Sequence, residues 1–160
     1  MKSEGVFCDT SFFIRLLDKT DSLHQNAKGY FKYLSEREHT LFISTISIAE
    51  YCVGGEEDEL PLRNLRVVPF NFDHGKRAGE FSRELYRKND SLSLLDRKII
   101  SNDLKLFAQA DVTPMVKYLL SGDRESKNIF KLLQEQFQVN LRFIHLSTPY
   151  NETFGVLGLE

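Results

Sequence analysis

The chain has 160 residues, 41% of them hydrophobic and 28% charged, which is enough for one well-buried globular domain. Its formal net charge of −2 argues against general coating of nucleic acid, which needs a strongly basic surface. No apolar run approaches the roughly 20 residues of a membrane helix, and the first residues lack the long apolar core of a signal peptide. We therefore expect a cytoplasmic protein without membrane association, in which Cys8 and Cys52 are buried free thiols.

Short apolar runs alternate with amphipathic stretches along the chain, a pattern that predicts alternating strands and helices. The predicted strands cover residues 6–8, 41–44, 65–70, 115–120 and 141–146. Six helices are predicted. The first follows residues 9–11, the second covers 22–37, and the third carries Glu50. The fourth covers 73–88, the fifth ends near residue 111, and the sixth covers 124–137. This α/β alternation implies right-handed crossovers and a mainly parallel sheet covered on both faces. We expect a single domain over residues 1–160, with a core over about 6–146 and a tail over 147–160 that shows no clear period.

Four carboxylates occupy positions with mostly apolar neighbours: Asp9, Glu50, Asp103 and Asp123. Asp9 and Asp123 follow predicted strands, whereas Glu50 and Asp103 lie on predicted helices and are expected to face inward. In a parallel sheet covered by helices, the ligand site lies beyond the carboxyl ends of the strands. A buried carboxylate recovers its lost hydration only from a cation, a cluster of donors or a proton. We therefore expect all four acids to be buried in one metal-binding pocket.

Carboxylates suit hard cations such as Mg²⁺, and two divalent ions about 3.5–4 Å apart are a recurrent device for cleaving phosphodiesters. Each acid taken alone also has a structural explanation. Asp9 and Asp123 could each cap a helix, and Glu50 could be a salt-bridged core acid. The four acids considered together favour a metal site.

These acids stand in four ordered motifs, over residues 6–13, 43–50, 102–110 and 121–123. The third has an Ala-rich helix face after Asp103, and the fourth has Ser121 where a Thr-x-Asp pattern is usual. In order and spacing the chain resembles the PIN-domain nucleases, especially the small VapC-type toxin ribonucleases. No single motif is decisive, but the resemblance extends from residue 6 to about residue 146.

The resemblance implies a three-layer α/β/α fold with strand order 3-2-1-4-5 and a Mg²⁺- or Mn²⁺-dependent endoribonuclease that cleaves single-stranded RNA. By analogy with the family, Asp9, Glu50, Asp103 and Asp123 would bind metal and act in catalysis, with Asp9 and Asp103 mattering most. The family also implies a homodimer, an antitoxin protein as partner, and a role as the toxin of a type II toxin–antitoxin pair. Two helical regions rich in aromatic residues, 30–33 and 72–86, are the expected interface.

Other functions remain as alternatives. The chain could be a catalytically weak PIN-fold module that binds RNA or metal, or a housekeeping PIN nuclease. A phosphatase of another class is disfavoured because the sequence after Asp9 lacks a second acid, and neither a dinucleotide-binding motif nor a P-loop occurs. Ser11 and Ser121 could hold a water or a phosphate oxygen, although a capping or turn-forming role is favoured.

The remaining polar residues have weaker functional signals. Asp96 is expected to form a capping box with Ser93, and Asp111 is expected to be exposed. His145 alternates with apolar residues in a strand and is expected to be a tolerated polar neighbour. Four basic residues either touch an RNA backbone or are solvated surface side chains, which is the favoured interpretation: Arg15, Arg97, Arg124 and Lys127.

Overall fold

A five-stranded parallel sheet forms the centre of the protein in the computed structural model, which describes residues 3–88 and 101–156. Its strands are β1 (Gly5–Cys8), β2 (Thr40–Ser44), β3 (Leu65–Val68), β4 (Val116–Ser121) and β5 (Arg142–His145). Every neighbouring pair is parallel, and the order is β3-β2-β1-β4-β5. This confirms the predicted fold class and strand order.

Seven α-helices connect and flank these strands within the described residues. They are α1 (Thr10–Leu17), α2 (His24–Glu36), α3 (Thr45–Tyr51), α4 (Phe72–Lys88), α5 (Asn102–Val112), α6 (Arg124–Gln136) and α7 (Tyr150–Thr153). Two one-turn helices, Glu57–Glu59 and Leu62–Asn64, precede β3. None of the helices over residues 3–88 and 101–156 is long and apolar enough to cross a bilayer.

Alternating side chains of β1 divide the core into two layers. Phe7 points into a cluster that also contains residues of α4, α5 and α6, including Phe81 and Phe107. Val6 and Cys8 point the other way, into a cluster built on α1 and α2. Because successive side chains of a strand face opposite sides of the sheet, one short strand can anchor both helical layers.

The central position of β1 brings the ends of three strands together. Cys8, the last residue of β1, pairs with Ile43 of β2 and with Leu120 of β4. The backbone N–H of Asp9 then donates to the Leu120 carbonyl at 3.0 Å, which extends the pairing by one residue. Side chains that follow these strands therefore share one edge of the sheet.

Residues 147–156 of the tail form an ordered cap over α2, although the tail sequence showed no clear period. The Tyr30 hydroxyl donates to the Thr148 carbonyl at 2.7 Å, and Tyr33 stacks on Tyr150 and Phe154 with ring centroids 5.0 Å apart. A helix as short as α7 is stabilised by such aromatic contacts and carries too few residues to display a helical period. The aromatic residues at 30–33 are thus partly used inside the chain.

The burial of Cys52 and of Asp111 differs from the prediction. Cys8 is buried as expected, but Cys52 is exposed, because α3 ends at Tyr51 and Cys52 forms its C-cap. Asp111 is not an exposed helix end. Its Oδ2 accepts a 2.7 Å hydrogen bond from Arg77 Nε, and only 12% of its side chain is accessible. The capping box predicted for Ser93 and Asp96, and the basic candidate Arg97, lie outside the described residues.

Candidate active site at the carboxyl edge of the sheet

Asp9 is the most enclosed of the four acids, with 7% of its surface exposed. It follows β1 directly and caps α1, where its Oδ1 accepts the Thr10 backbone N–H at 2.6 Å. Its Oδ2 accepts two hydroxyl hydrogen bonds, from Ser11 Oγ at 2.8 Å and from Ser121 Oγ at 2.7 Å. The predicted capping role is therefore correct. The capping hydrogen bond uses Oδ1 of Asp9, and the two serine hydroxyls hold Oδ2.

The balance of these contacts raises the pKa of Asp9. Burial is the largest cause, because a carboxylate removed from water loses hydration, and the nearby charge of Glu50 adds to it. The hydrogen bonds from Ser121, Ser11 and Thr10 act in the opposite direction by stabilising the ionised form. The site thus holds a carboxylate that would gain from a nearby cation.

Asp103 lies in the first turn of α5 and is partly buried. Its Oδ1 accepts a 2.5 Å hydrogen bond from Ser126 Oγ on α6. The pKa of Asp103 is raised to about 6, mainly by burial and also by the negative charges of Asp9, Asp123 and Glu50, against the lowering effect of the Ser126 bond. Since all three other acids act on this carboxyl, the four residues share one electrostatic neighbourhood.

Glu50 projects from α3 and is held by two neutral donors. Thr10 Oγ1 donates to its Oε2 in a short hydrogen bond, and Asn102 Nδ2 donates to its Oε1 at 2.6 Å. No basic side chain pairs with Glu50 within residues 3–88 and 101–156, so the salt-bridged alternative is not what the structure shows there. The Glu50 carboxyl group is therefore held by neutral donors, without a side-chain cation in this part of the chain.

Asp123 differs from the other three because it is exposed. It caps α6, with Oδ1 accepting the Glu125 backbone N–H at 2.7 Å, and its own N–H donates to Ser121 Oγ at 3.1 Å. The expectation that all four acids are buried was wrong. Asp9 is buried, Glu50 and Asp103 are partly buried, and Asp123 is exposed beyond the end of β4, where it forms the N-cap of α6.

Hydroxyl and amide groups position the acids, and most of these groups had no signal in the sequence. Ser11 and Ser121 act as turn formers, since Ser11 Oγ accepts the Gly122 N–H at 2.8 Å and Ser121 Oγ accepts the Asp123 N–H. Sequence reasoning missed the positioning roles of Thr10, Asn102 and Ser126. Ser126 precedes an apolar face of α6 and is 23 residues from Asp103, so only the packing of α5 against α6 reveals their contact.

The donors at this edge are carboxylate and hydroxyl oxygens, which fit Mg²⁺ or Mn²⁺ better than a soft metal. In the described part of the chain, no three His, Cys, Asp or Glu side chains converge closely enough to hold one ion. Mg²⁺ does not require such a cage, because it commonly uses one or two carboxylates together with waters and substrate phosphates. The residues present therefore fit an ion that is bound jointly by protein and substrate.

Comparison with known proteins shows the family to which this chain belongs. The sequence matches the PIN domain family over residues 6–110, and the chain belongs to that family. The structure is similar to VapBC2 from Rickettsia felis bound to a DNA fragment from its promoter, at 20% identity over 88% of this chain and 98% of that chain, with a TM-score of 0.61. It is also similar to DNA-bound VapBC from Salmonella typhimurium, at 14% identity over 89% of this chain and 98% of that chain, with a TM-score of 0.54. Comparison with curated protein sequences finds no match.

The resemblance inferred from the four motifs is thus confirmed at the level of the family. The two solved structures share the fold of this chain, and their low identity limits what they show to the fold. The family match ends at residue 110, so Asp123 and its Ser121-containing motif lie beyond it.

Proposed function

We propose that this protein is a divalent-metal-dependent endoribonuclease that hydrolyses RNA phosphodiester bonds. The observation that carries the proposal is the shared electrostatic neighbourhood of Asp9, Glu50, Asp103 and Asp123 at the carboxyl edge of the sheet. Membership of the PIN domain family supports it, because this arrangement of acids is the chemical feature on which the resemblance to nucleases rests. The catalytic and metal-binding roles of these four residues are part of the proposal.

Mg²⁺ or Mn²⁺, held by these carboxylates, would supply positive charge that offsets the negative charge developing on the phosphate in the transition state. The chain's own contribution is to fix the ligands in place. Ser11 and Ser121 orient Oδ2 of Asp9, and Ser126 orients Oδ1 of Asp103. Thr10 and Asn102 orient the two oxygens of Glu50. Preorganised ligands lower the cost of reorganisation during the reaction.

The proposed roles of the acids differ with the solvent exposure of their side chains. Asp9 is enclosed and fixed by three hydrogen bonds, so it serves as the constant ligand. Asp123 is exposed, and among the described residues its Oδ2 has no hydrogen-bond partner, which leaves that oxygen for an ion that arrives with substrate. Asp103, with a pKa of about 6, is partly protonated near neutral pH and would release its proton when a cation binds.

We further propose that the protein is the toxin of a type II toxin–antitoxin pair and works in the cytoplasm as a homodimer. The VapC-like motif order and the two similar VapBC structures support an antitoxin protein as partner. A housekeeping PIN nuclease would use the same site without such a partner. Co-expression with the product of an adjacent small reading frame separates the two: a stable complex that suppresses cleavage supports the toxin, and no suppression supports the housekeeping nuclease.

The decisive experiment compares RNA cleavage by the wild type with that by Asp9→Asn and Asp103→Asn in Mn²⁺ or Mg²⁺. Asparagine keeps the shape and can still accept the serine hydrogen bonds, but it removes the charge that holds the ion. Both variants are expected to lose at least about 100-fold in rate, in line with the loss of one electrostatic contact at a reacting centre.

Asp58→Asn is the matched control, because Asp58 is an exposed acid in a one-turn helix outside all four motifs, and it should cleave like the wild type. A wild type that cuts no RNA with either metal, or an Asp103→Asn variant as fast as the wild type, would contradict the nuclease. Metal-dependent RNA binding without cleavage would instead favour the catalytically weak binding module.

A further inference from the structure

A second polar pocket adjoins the acidic edge, with a volume of about 410 Å³. We name it the His145 pocket; its lining includes Ser11, Arg15, Asp123, Arg124, His145 and Ser147. We propose that the His145 pocket binds a backbone phosphate of the RNA strand, next to the phosphate that is cleaved. This inference rests on the proposed ribonuclease function and assigns a substrate-binding role to residues outside the acidic motifs.

His145 has a buried ring nitrogen, Nε2, that forms no well-aligned hydrogen bond within residues 3–88 and 101–156. More than nine-tenths of the residue is buried, and its Nδ1 accepts the Ser147 N–H at 3.1 Å and contacts Ser147 Oγ at 2.8 Å. In the neutral ring an accepting Nδ1 places the proton on Nε2. Nε2 is buried and has no hydrogen-bond partner of adequate geometry among the residues that the structure describes. An unsatisfied buried donor is costly, and an acceptor that reaches Nε2 from the pocket would remove that cost.

Arg15 supplies a second donor of the same kind. Its Nη1 contacts both carboxylate oxygens of Asp21 at 3.0 and 2.8 Å, and its Nη2 donates to the Gly122 carbonyl at 3.2 Å. Its Nε is buried and lacks a partner over residues 3–88 and 101–156. A Cβ at position 122 would lie 2.4 Å from this Nε, so glycine is required there for the guanidinium to sit at the pocket wall.

The neighbouring charges that lower the pKa of the imidazole are positive. Burial is the main cause of the lowered pKa of His145, and Lys127, Arg124 and Arg15 lower it further, while the Gly122 carbonyl opposes them. A neutral ring held in a cationic field, whose Nε2–H lacks a well-aligned acceptor among the described residues, favours an anion that accepts hydrogen bonds. The carboxylates of Asp21 and Asp123 reduce this field, and Asp21 does so by direct pairing with Arg15.

The His145 pocket shares residues with the acidic site, and this supports an RNA phosphate as the anion that it binds. Ser11 and Asp123 line the His145 pocket, and Ser11 Oγ also donates to Asp9. A polymer whose phosphates recur along one chain can place one phosphate at the acids and its neighbour in this pocket. The basic candidates Arg15 and Arg124, for which the sequence favoured a solvated surface role, are thereby assigned to substrate binding, and His145 is more than a tolerated neighbour.

Binding of a short fluorescein-labelled oligouridylate in EDTA tests the pocket without cleavage. Arg124→Gln is expected to weaken binding and to reduce the slope of log K against log salt by about 0.7, the value for one phosphate contact on a single strand. His145→Phe keeps a ring but removes the donor, so it is expected to weaken binding without changing the slope. Arg83→Gln removes an exposed positive charge on α4 and should change neither quantity.

Wild-type affinity and slope in Arg124→Gln, with the melting temperature unchanged, would overturn the pocket assignment even if the enzyme cuts RNA normally. Equal effects of Arg83→Gln and Arg124→Gln would also overturn the assignment, because the loss of binding would then reflect overall charge and not a contact in the pocket. Arg124 is exposed, so this variant stays informative if His145→Phe fails to fold.

Cleavage gives a second test at the level of a single phosphate. In an RNA that the wild type cuts at one mapped bond, each neighbouring phosphate is replaced in turn by an uncharged methylphosphonate. One position is expected to slow the wild type about tenfold but to have little further effect in Arg124→Gln, which is the non-additivity of two interacting groups. Additive losses at every position would overturn the assignment. A wild type that cuts no RNA would refute the nuclease, while the binding experiment would still decide the pocket.

Discussion

Ser121 Oγ donates a 2.7 Å hydrogen bond to Oδ2 of Asp9, linking the end of β4 to the end of β1 across 112 residues of sequence. The same oxygen of Ser121 accepts the backbone N–H of Asp123. One hydroxyl therefore positions two of the four acids, one through its proton and the other through its lone pair. The residue that departs from the usual Thr-x-Asp pattern lies at the centre of the site.

Ser121→Ala is expected to lower the cleavage rate by about 10- to 100-fold, the usual effect of removing an outer group that orients a metal ligand. The pKa of Asp9 should rise further, because the Ser121 bond is the largest of the contacts that lower it. Ser121→Thr restores the hydroxyl and should keep most of the activity. Cleavage rates at saturating Mn²⁺ measure the loss of activity in Ser121→Ala and its retention in Ser121→Thr. Equal rates for alanine and serine would show that the bond does not support catalysis.

Mg²⁺ or Mn²⁺ is expected to stabilise the folded protein. Folding brings together carboxylates that repel one another, and the ion binds them in the folded state but not in the unfolded state. At a concentration 100 times the dissociation constant, the gain is about 2.7 kcal/mol. Thermal scans with metal and with EDTA, at matched ionic strength, measure the shift. Asp9→Asn should reduce it, and Asp58→Asn should not. The same melting temperature with and without millimolar metal would argue for a structural network of acids.

The stability of the metal-free protein should depend on the ionisation of Asp103. Its pKa is raised from 3.8 to about 6 in the folded state, mainly by burial, so the folded state binds this proton more tightly than the unfolded state. The stabilisation is complete below pH 3.8 and is lost as the pH rises through about 6. Urea unfolding in EDTA should therefore show Asp103→Asn gaining stability relative to the wild type as the pH rises through this window. A difference independent of pH would contradict the raised pKa.

The proposed homodimer should have a light-scattering mass twice that of the 18.6 kDa chain. Of the two aromatic regions expected at the interface, the one around Tyr33 packs against the tail, whereas Phe72 at the start of α4 is 83% exposed. Phe72→Ser is therefore expected to shift the mass toward the monomer. Val53→Ser is the control, since Val53 is 89% exposed but lies after α3. A wild type that is monomeric at micromolar concentration would rule out the dimer.

The α/β fold could be read from the sequence because its elements are short, regular and strongly patterned. Buried strands such as β1 and β4 are nearly continuous apolar runs, and helices such as α4 and α6 carry one apolar face. The rule that parallel strands end at a common ligand-binding edge then placed Asp9 and Asp123 together. α7 was missed because its stability comes from contacts with Tyr30 and Tyr33, which no local pattern encodes.

The sequence by itself determined the order of the elements, the sheet edge at which the candidate site lies and the acids proposed to form it. Tertiary structure alone decided how each acid is held: that Ser126 contacts Asp103, that Asn102 and Thr10 hold Glu50, and that Asp123 is exposed. It also decided that His145 and Arg15 share a pocket. The physical reason is range. Hydrophobic periodicity and the positions of strand ends are set by neighbouring residues in the sequence and can be read from it. Side-chain hydrogen bonds and burial depend on which helices, distant in sequence, pack against each other.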